Sequence, residues 1–316
     1  MIRHRILAAI GIILSVIGFS HCDKPEKPEP NNQPAANLTG GAAAFAHTRE
    51  ILSYGPRPPQ SAALRKTRAY LTARLREAGW QAGSQKFTAP TRAGQVEFTN
   101  LIARFGPADD PDLWSRPVTG VIGAHIDSKL MPPPKRFLGA DDAASAAGLM
   151  LELARQLRDS PDQARRIELV FFDGEEAFAP QMTPGDGLFG SRKYATRWQT
   201  AAAKPKFGLI LDMIGHKNLR VRYPSDSPAH LVALLNKAAA AESAADQFGS
   251  APGPILDDHV PLNNAGIPTL DIIGDFPSTT WWHTERDNLD IISPDSLDLT
   301  LRIVTRMLGE LAPTGE

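Results

Sequence analysis

Phe171-Phe172-Asp173-Gly174-Glu175-Glu176-Ala177-Phe178 is the segment of this chain that says most about its fold and its chemistry. It ends a mostly apolar run, Ile167 to Phe172, of the kind typical of a strand buried in a parallel sheet. Open α/β sheets bind ligands in the crevice at the carboxyl ends of such strands. Two adjacent carboxylates repel each other, and a metal ion that engages one would leave the other as a base. Alternatively, two solvated glutamates begin a helix, whose dipole favours acidic side chains there.

The chain as a whole has the composition of an ordinary globular protein. It has 316 residues, of which 42% are hydrophobic, and a formal net charge of −1. This length is enough for one large α/β domain. The near-neutral charge gives no reason to expect a nucleic-acid partner.

The N-terminus has the pattern of a targeting segment. Basic residues at 1–5 precede an apolar stretch at 6–19, which is too short to span a bilayer comfortably. Cys22, the only cysteine, follows directly and resembles the lipidated cysteine of bacterial lipoproteins, although His21 stands where that pattern has a small residue. An ordinary cleaved signal peptide and an uncleaved anchor are the alternatives. All three predict an extracytoplasmic protein, periplasmic or tethered to the membrane of a bacterium.

The remaining chain divides into a tether and a folded domain. Residues 23–41 are rich in Pro, Asn, Glu and Lys and have almost no apolar content, which predicts a disordered tether after the 1–22 signal. Residues 42–316 alternate between strand and helix patterns, which predicts a single α/β domain with a mostly parallel central sheet flanked by helices on both faces. The early strands, 81–87 and 96–105, are expected to form an antiparallel edge.

Acidic and histidine side chains follow several of the predicted strands. An ionised Asp212 within an apolar strand would cost several kcal/mol unless it were paired or bound to a metal. Imidazole and carboxylate ligands without thiolate suit zinc in an open catalytic site. The chain has no Gly-x-Ser-x-Gly motif and no glycine-rich phosphate loop, which disfavours a serine nucleophile or a nucleotide site. The candidate residues are His125, Asp127, Lys129, Asp141, Asp142, Glu175, Glu176, Asp212, Asp257, Asp258, His259, Trp281, Trp282 and His283.

The order of these motifs resembles that of the M28 zinc peptidase superfamily and, within it, the animal-type glutaminyl cyclases. The resemblance covers roughly Ala43 to the C-terminus. It is carried by His125-Ile126-Asp127-Ser128-Lys129, Gly139-Ala140-Asp141-Asp142, Phe171 to Phe178, Leu188 to Arg192, Leu211 to Gly215, Asp257-Asp258-His259-Val260-Pro261 and Trp282-His283-Thr284.

The resemblance implies a zinc aminopeptidase-like fold and one zinc ion, held by Asp142, Glu176 and His283. Glu175 would be the proton shuttle, with Asp212 and Asp258 in a hydrogen-bond network beside it. The residues that would contact the substrate are Trp282, Trp281, Lys129 and His125. The implied substrate is the N-terminal glutamine of peptides or secreted proteins, which would be converted to pyroglutamate with release of ammonia. A monomer is expected, with membrane contact only through the N-terminus.

Two positions depart from the animal pattern. Gln181, in a Pro-rich loop, stands where animal cyclases have a second pocket tryptophan. The loop before His283 is also longer, and Trp281 is expected to compensate for the missing ring.

Two other functions remain open at this point. A two-zinc M28 aminopeptidase would use His125, Asp142, Glu176, Asp212 and His283 as ligands, with Glu175 as the base for a bridging hydroxide. Every one of those residues is present, so counting ligands does not discriminate. An inactive, surface-tethered binding module on the same fold is the third hypothesis. The zinc stoichiometry separates them, because it would be one for the cyclase, two for the peptidase and zero for the module.

Overall fold

The computed structural model describes residues 38–183 and 185–313. The predicted signal segment and all but the last four residues of the predicted tether lie outside these ranges. Among the described residues, no helix is both long enough and apolar enough to cross a membrane.

A six-stranded sheet forms the centre of the described chain, in the strand order β1-β2-β4-β3-β5-β8. β1 and β2 pair antiparallel, as do β2 and β4, whereas the pairs β3–β4, β3–β5 and β5–β8 are parallel. The strands are β1 (Trp80–Thr91), β2 (Gly94–Phe105), β3 (Gly120–His125), β4 (Ile167–Phe172), β5 (Phe207–Asp212), β6 (Val221–Tyr223), β7 (Phe248–Ser250) and β8 (Thr269–Ile273).

Helices cover both faces of this sheet, because alternate residues of a strand point to opposite sides. In β4, Leu169 and Phe171 belong to one buried apolar cluster, and Val170 and Phe172 belong to another. The helices are α1 (Gly40–Ser53), α2 (Ala62–Glu77), α3 (Ala146–Leu157), α4 (Pro161–Ala164), α5 (Phe189–Gln199), α6 (Ala229–Ala241), α7 (His259–Asn264) and α8 (Pro294–Leu311). Helices α1, α3 and α8 contribute to the first cluster, and α5 and α7 to the second. The predicted fold class and the antiparallel edge are confirmed.

Two local features differ from the sequence prediction. β6 and β7 form a separate parallel pair, which the sequence did not indicate because three residues are too few to show alternation. The helix predicted from Asp142 is preceded by a π-helical turn, Ala140–Ser145, and Asp142 itself has non-helical torsions (φ −103°, ψ 85°). A regular helix therefore starts only at Ala146.

Candidate functional site

The paired glutamates lie in a tight turn directly after β4. The backbone N–H groups of Glu175 and Glu176 donate hydrogen bonds to the two carboxylate oxygens of Asp127, over 3.1 and 3.3 Å. Gly174 before them has φ +79°, and a Cβ atom there would lie 2.4 Å from the Phe98 ring. Only glycine fits this position, so the turn and its buried carboxylate partner fix where both glutamates point.

Three side chains from distant parts of the sequence converge beside this turn. His283 Nε2 lies 3.5 Å from Asp142 Oδ2 and 3.5 Å from Glu176 Oε2. These separations are long for hydrogen bonds, but two ligands each bound about 2.0–2.1 Å from a tetrahedral zinc ion would be about 3.3–3.4 Å apart. Glu176 Oε1 is buried with no hydrogen-bond partner among the described residues. The donor set, its spacing and the unpartnered oxygen fit a zinc ion.

A second cluster shares Asp142 with the first. His125 Nε2 lies 3.2 Å from Asp142 Oδ1 and 3.4 Å from Asp212 Oδ1. Burial favours the neutral imidazole, but the carboxylates of Asp127, Asp142 and Asp212 outweigh it and raise the pKa of His125 well above its ordinary value. The ligand set expected for a second metal ion is therefore also assembled in space.

A cavity of about 1000 Å³ opens over these clusters. Lys129 lies in its wall, where Nζ donates to Glu176 Oε2 (3.2 Å) and to the carbonyl oxygen of Ala177 (3.1 Å). Trp282 also lines the cavity, with 37% of its surface exposed. Gln181, which stands where the animal pattern has a second tryptophan, lies in the cavity wall as well. The predicted site residues that line the cavity are Lys129, Asp142, Glu175, Glu176, Asp212, Trp282 and His283.

Glu175 and Asp257, two acids of the cavity wall, have raised pKa values. Burial, reinforced by Glu176, Asp257 and Asp258 against the opposing effect of His125, raises the pKa of Glu175 well above its ordinary value. Burial likewise raises the pKa of Asp257 to about 7, with a further contribution from Asp271. A carboxyl group that titrates near neutrality can both accept and donate a proton in a reaction.

Three of the predicted site residues do not line the cavity. Trp281 is buried and stacks on His216 at a centroid distance of 5.2 Å, so its ring does not compensate at the cavity wall. His125 lies between Asp142 and Asp212 and is only 2% exposed. Asp258 is completely buried at the start of α7, and its neighbour Asp257 lines the cavity instead.

Sequence reasoning also missed two buried residues near Asp142. Arg57 donates hydrogen bonds to the backbone carbonyls of Leu138 and Gly139, and Asp287 accepts hydrogen bonds from the backbone around Asp141. The sequence offered a weak indication of Asp287, because it follows His283 by only four residues. It offered no indication of Arg57, which lies in a Pro-rich loop.

Residues 100–308 match the family described as Peptidase family M28. The chain belongs to this family. The match contains every residue of both M28 ligand sets, and the M28 resemblance inferred from the motif order is confirmed.

Similar M28 proteins include both cyclases and peptidases. A Bos taurus protein named glutaminyl-peptide cyclotransferase-like protein is 31% identical over 285 residues, which cover 80% of this chain and 72% of the bovine one. A solved glutaminyl cyclase of Porphyromonas gingivalis superposes with a TM-score of 0.76 and 30% identity, covering 87% of this chain and 99% of that one. A Zn-dependent exopeptidase of Parabacteroides distasonis gives a TM-score of 0.74 and 26% identity, over 86% and 97% of the two chains. The M28 fold alone therefore does not choose between the two activities.

Proposed function

We propose that this protein is a zinc-dependent glutaminyl-peptide cyclotransferase that converts the N-terminal glutamine of peptides or proteins to pyroglutamate and releases ammonia. The observation that carries the proposal is the position of Glu175, a carboxyl group in the cavity wall that is next to Glu176 of the Asp142–Glu176–His283 cluster but is not itself part of that cluster. The similarity to proteins named glutaminyl-peptide cyclotransferase supports the same activity.

Asp142, Glu176 and His283 are proposed to hold one zinc ion. Bound there, zinc would supply a Lewis acid that polarises the γ-carboxamide of the substrate. Lys129 keeps Glu176 in place through its hydrogen bond, and the Asp127 carboxylate fixes the backbone from which Glu176 projects. The ligand geometry therefore rests on buried contacts within the protein.

The substrate itself provides the nucleophile. Its α-amine attacks the carboxamide carbon of the same residue, so the new C–N bond forms within one molecule and benefits from a high effective concentration. Glu175 accepts a proton from the amine and returns it to the departing nitrogen as the C–NH₂ bond breaks. Burial raises the pKa of this carboxyl group, so it accepts a proton more readily than an exposed glutamate would. Asp212 and Asp257, which also line the cavity, are proposed to hold the carboxamide and the tetrahedral intermediate.

A two-zinc aminopeptidase is the second candidate, and the His125–Asp142–Asp212 cluster is the observation that favours it. His125, Asp142 and Asp212 would then hold a second zinc ion, and Glu175 would accept a proton from the water that attacks the peptide bond. Tryptophan directly before His283 and the Lys129 ammonium beside Glu176 favour the cyclase.

The test offers the full-length chain a Gln-initiated peptide and a Leu-initiated chromogenic amide. We expect release of ammonia from the first and no cleavage of the second. An N-acetylated copy of the Gln peptide is the matched control, because without a free amine it should yield no ammonia. Cleavage of the Leu amide together with two zinc ions per chain would replace the cyclase with the peptidase. A chain that binds no metal and turns over neither substrate would be a binding module.

We also propose that the enzyme acts outside the cytoplasm, on secreted proteins or peptides. The basic residues at 1–5 and the apolar stretch at 6–19 support export, and Cys22 supports a lipid tether. Replacing this cysteine (Cys22→Ser) should move the protein from the membrane fraction to the soluble periplasmic fraction. A wild-type protein that incorporates no labelled fatty acid would exclude the lipid tether.

A further inference from the structure

The segment 138–142 presents Asp142 to the candidate metal cluster without being held by a helix of its own. Asp142 and Ala143 both have torsions outside the helical region, and the regular helix α3 begins only at Ala146. Backbone groups in such a segment need partners from elsewhere when they are buried, as residues 139–142 are. Two side chains provide these partners: one donates hydrogen bonds to the carbonyl oxygens of the segment, and the other accepts hydrogen bonds from its backbone N–H groups.

Arg57 bonds to the carbonyl groups. It lies in the loop between α1 and α2 and is completely buried. Its Nη1 donates to the carbonyl oxygen of Leu138 (2.7 Å), its Nη2 to that of Gly139 (2.9 Å) and its Nε to that of Ile126 (3.1 Å). One rigid guanidinium group thus connects the segment 138–142 to Ile126, the residue that follows His125 at the end of β3.

Asp287 bonds to the amide groups of the same segment. Its Oδ1 accepts hydrogen bonds from the backbone N–H of Ala140 (3.0 Å) and Asp141 (2.8 Å), and its Oδ2 accepts one from Asp142 N–H (3.3 Å). The Asp287 backbone N–H in turn donates to the carbonyl oxygen of Thr284, the residue next to His283. The segment that carries Asp142 is therefore joined to the turn that carries His283.

We propose that Arg57 and Asp287 are positioning residues that together hold the segment 138–142, so that the Asp142 carboxylate faces Glu176 and His283. This inference rests on the proposed role of Asp142 as a metal ligand. Neither residue lines the cavity or belongs to the candidate ligand clusters, so both act through the backbone that carries the ligands, and above all through the segment of Asp142. Loss of an outer partner of a metal ligand typically weakens metal binding 10- to 100-fold.

The experiment measures how fast zinc leaves the full-length holoprotein and passes to a chromogenic chelator, together with the absorption spectrum of the Co²⁺-substituted protein. The variants are Arg57→Met, Arg57→Lys and Asp287→Asn. Arg104→Met is the matched control, because Arg104 is also buried and donates to the carbonyls of Leu113 and Arg116, but it lies on β2 opposite Glu168, at the start of β4 and away from the turn that follows β4. Near-UV circular dichroism and Tm report folding.

We expect Arg57→Met and Asp287→Asn to release zinc at least 10-fold faster than wild type and to change the Co²⁺ spectrum. Arg57→Lys keeps the charge and a single nitrogen donor, so its zinc release rate should lie between those of the wild type and Arg57→Met. It remains informative if Arg57→Met does not fold. Arg104→Met should lower Tm without changing metal release. Wild-type release rates in Arg57→Lys and Asp287→Asn would overturn the proposal, as would equally fast release from Arg104→Met at the same Tm. A wild-type protein that retains zinc but lacks cyclase activity would contradict the proposed function and leave this inference standing.

Discussion

The Trp282 indole Nε1 donates a hydrogen bond of 3.1 Å to Asp142 Oδ2. The same ring stacks on His283 at a centroid distance of 4.0 Å and contacts Phe276 on its other side. One side chain thus forms the mouth of the cavity and also touches two of the three candidate zinc ligands. We therefore expect substrate binding and ligand geometry to be coupled through this tryptophan.

Trp282 is expected to contribute to substrate binding and to the geometry of the metal ligands. Two substitutions separate these contributions. Trp282→Ala should raise KM for a Gln-initiated peptide about 10-fold, in line with the loss of one aromatic contact worth about 1 kcal/mol or more. Trp282→Phe keeps the ring and removes the donor, so KM should stay near wild type while zinc is released faster. Steady-state kinetics and zinc release would check this. Trp281→Ala is the control: it should lower stability by about 3 kcal/mol with little change in KM, because Trp281 packs on His216 away from the cavity. An equal rise in KM in both alanine variants would contradict the assignment.

Glu175 is expected to carry the proton transfer without binding the metal. Glu175→Gln preserves size and removes the titrating group, so kcat should fall by about 10²- to 10⁴-fold while zinc content remains that of wild type. Metal analysis and single-turnover kinetics on the same preparation would measure both. Glu176→Gln is the comparison, since it should lose zinc as well as activity. Retention of more than a few per cent of kcat in Glu175→Gln would remove the assigned role.

The adjacent acids Asp257 and Asp258 are expected to differ in effect, and in the opposite order to the sequence prediction, which gave the role to Asp258. Asp257 lines the cavity, so Asp257→Asn should lower kcat by at least 10-fold with little change in Tm. Asp258 is completely buried and does not line the cavity. Burial, with a further contribution from the negative charge of Asp257, raises the pKa of Asp258 to about 8, so it keeps its proton at neutral pH. Asp258→Asn should therefore retain near-wild-type kcat. The opposite order of effects in the two variants would restore the sequence prediction for Asp258.

His47 is expected to make the fold sensitive to acid. Burial lowers its pKa to about 4, against the opposing pull of Glu152. Its Nδ1 lies 2.6 Å from the Tyr70 hydroxyl. Because the folded pKa is below the ordinary value of 6.5, the unfolded chain binds the proton more readily between these values. The neutral ring therefore contributes fully above pH 6.5, and stability falls by up to about 3 kcal/mol as the pH drops to 4.

The measurement is the free energy of unfolding in urea at several values between pH 4 and 7. His47→Gln should show a shallower decline than wild type over that range. His230→Gln, at an exposed position of α6, is the control and should follow the wild-type curve. Identical slopes for wild type and His47→Gln would refute the prediction.

The central strands and most helices were predictable from the sequence because their information is local. The apolar run ending at Phe172 and the helical spacing in Ala62–Glu77 each reflect the period of one element. Once a parallel sheet is inferred, its strand ends must meet at one edge, which is why His125, Glu176 and Asp212 could be expected together. The structure brings them together there, with Asp142 and His283 supplied by the loops.

What the sequence by itself determined is the type of fold, the M28 motifs and the residues able to bind a metal. The tertiary structure decided which of two neighbours faces the cavity, Asp257 rather than Asp258 and Trp282 rather than Trp281. It also decided that Arg57 and Asp287 meet the segment of Asp142, across 81 and 146 residues of chain. The reason is that a side chain's direction in a loop depends on individual backbone torsions and distant contacts. Neither leaves a periodic pattern in the sequence.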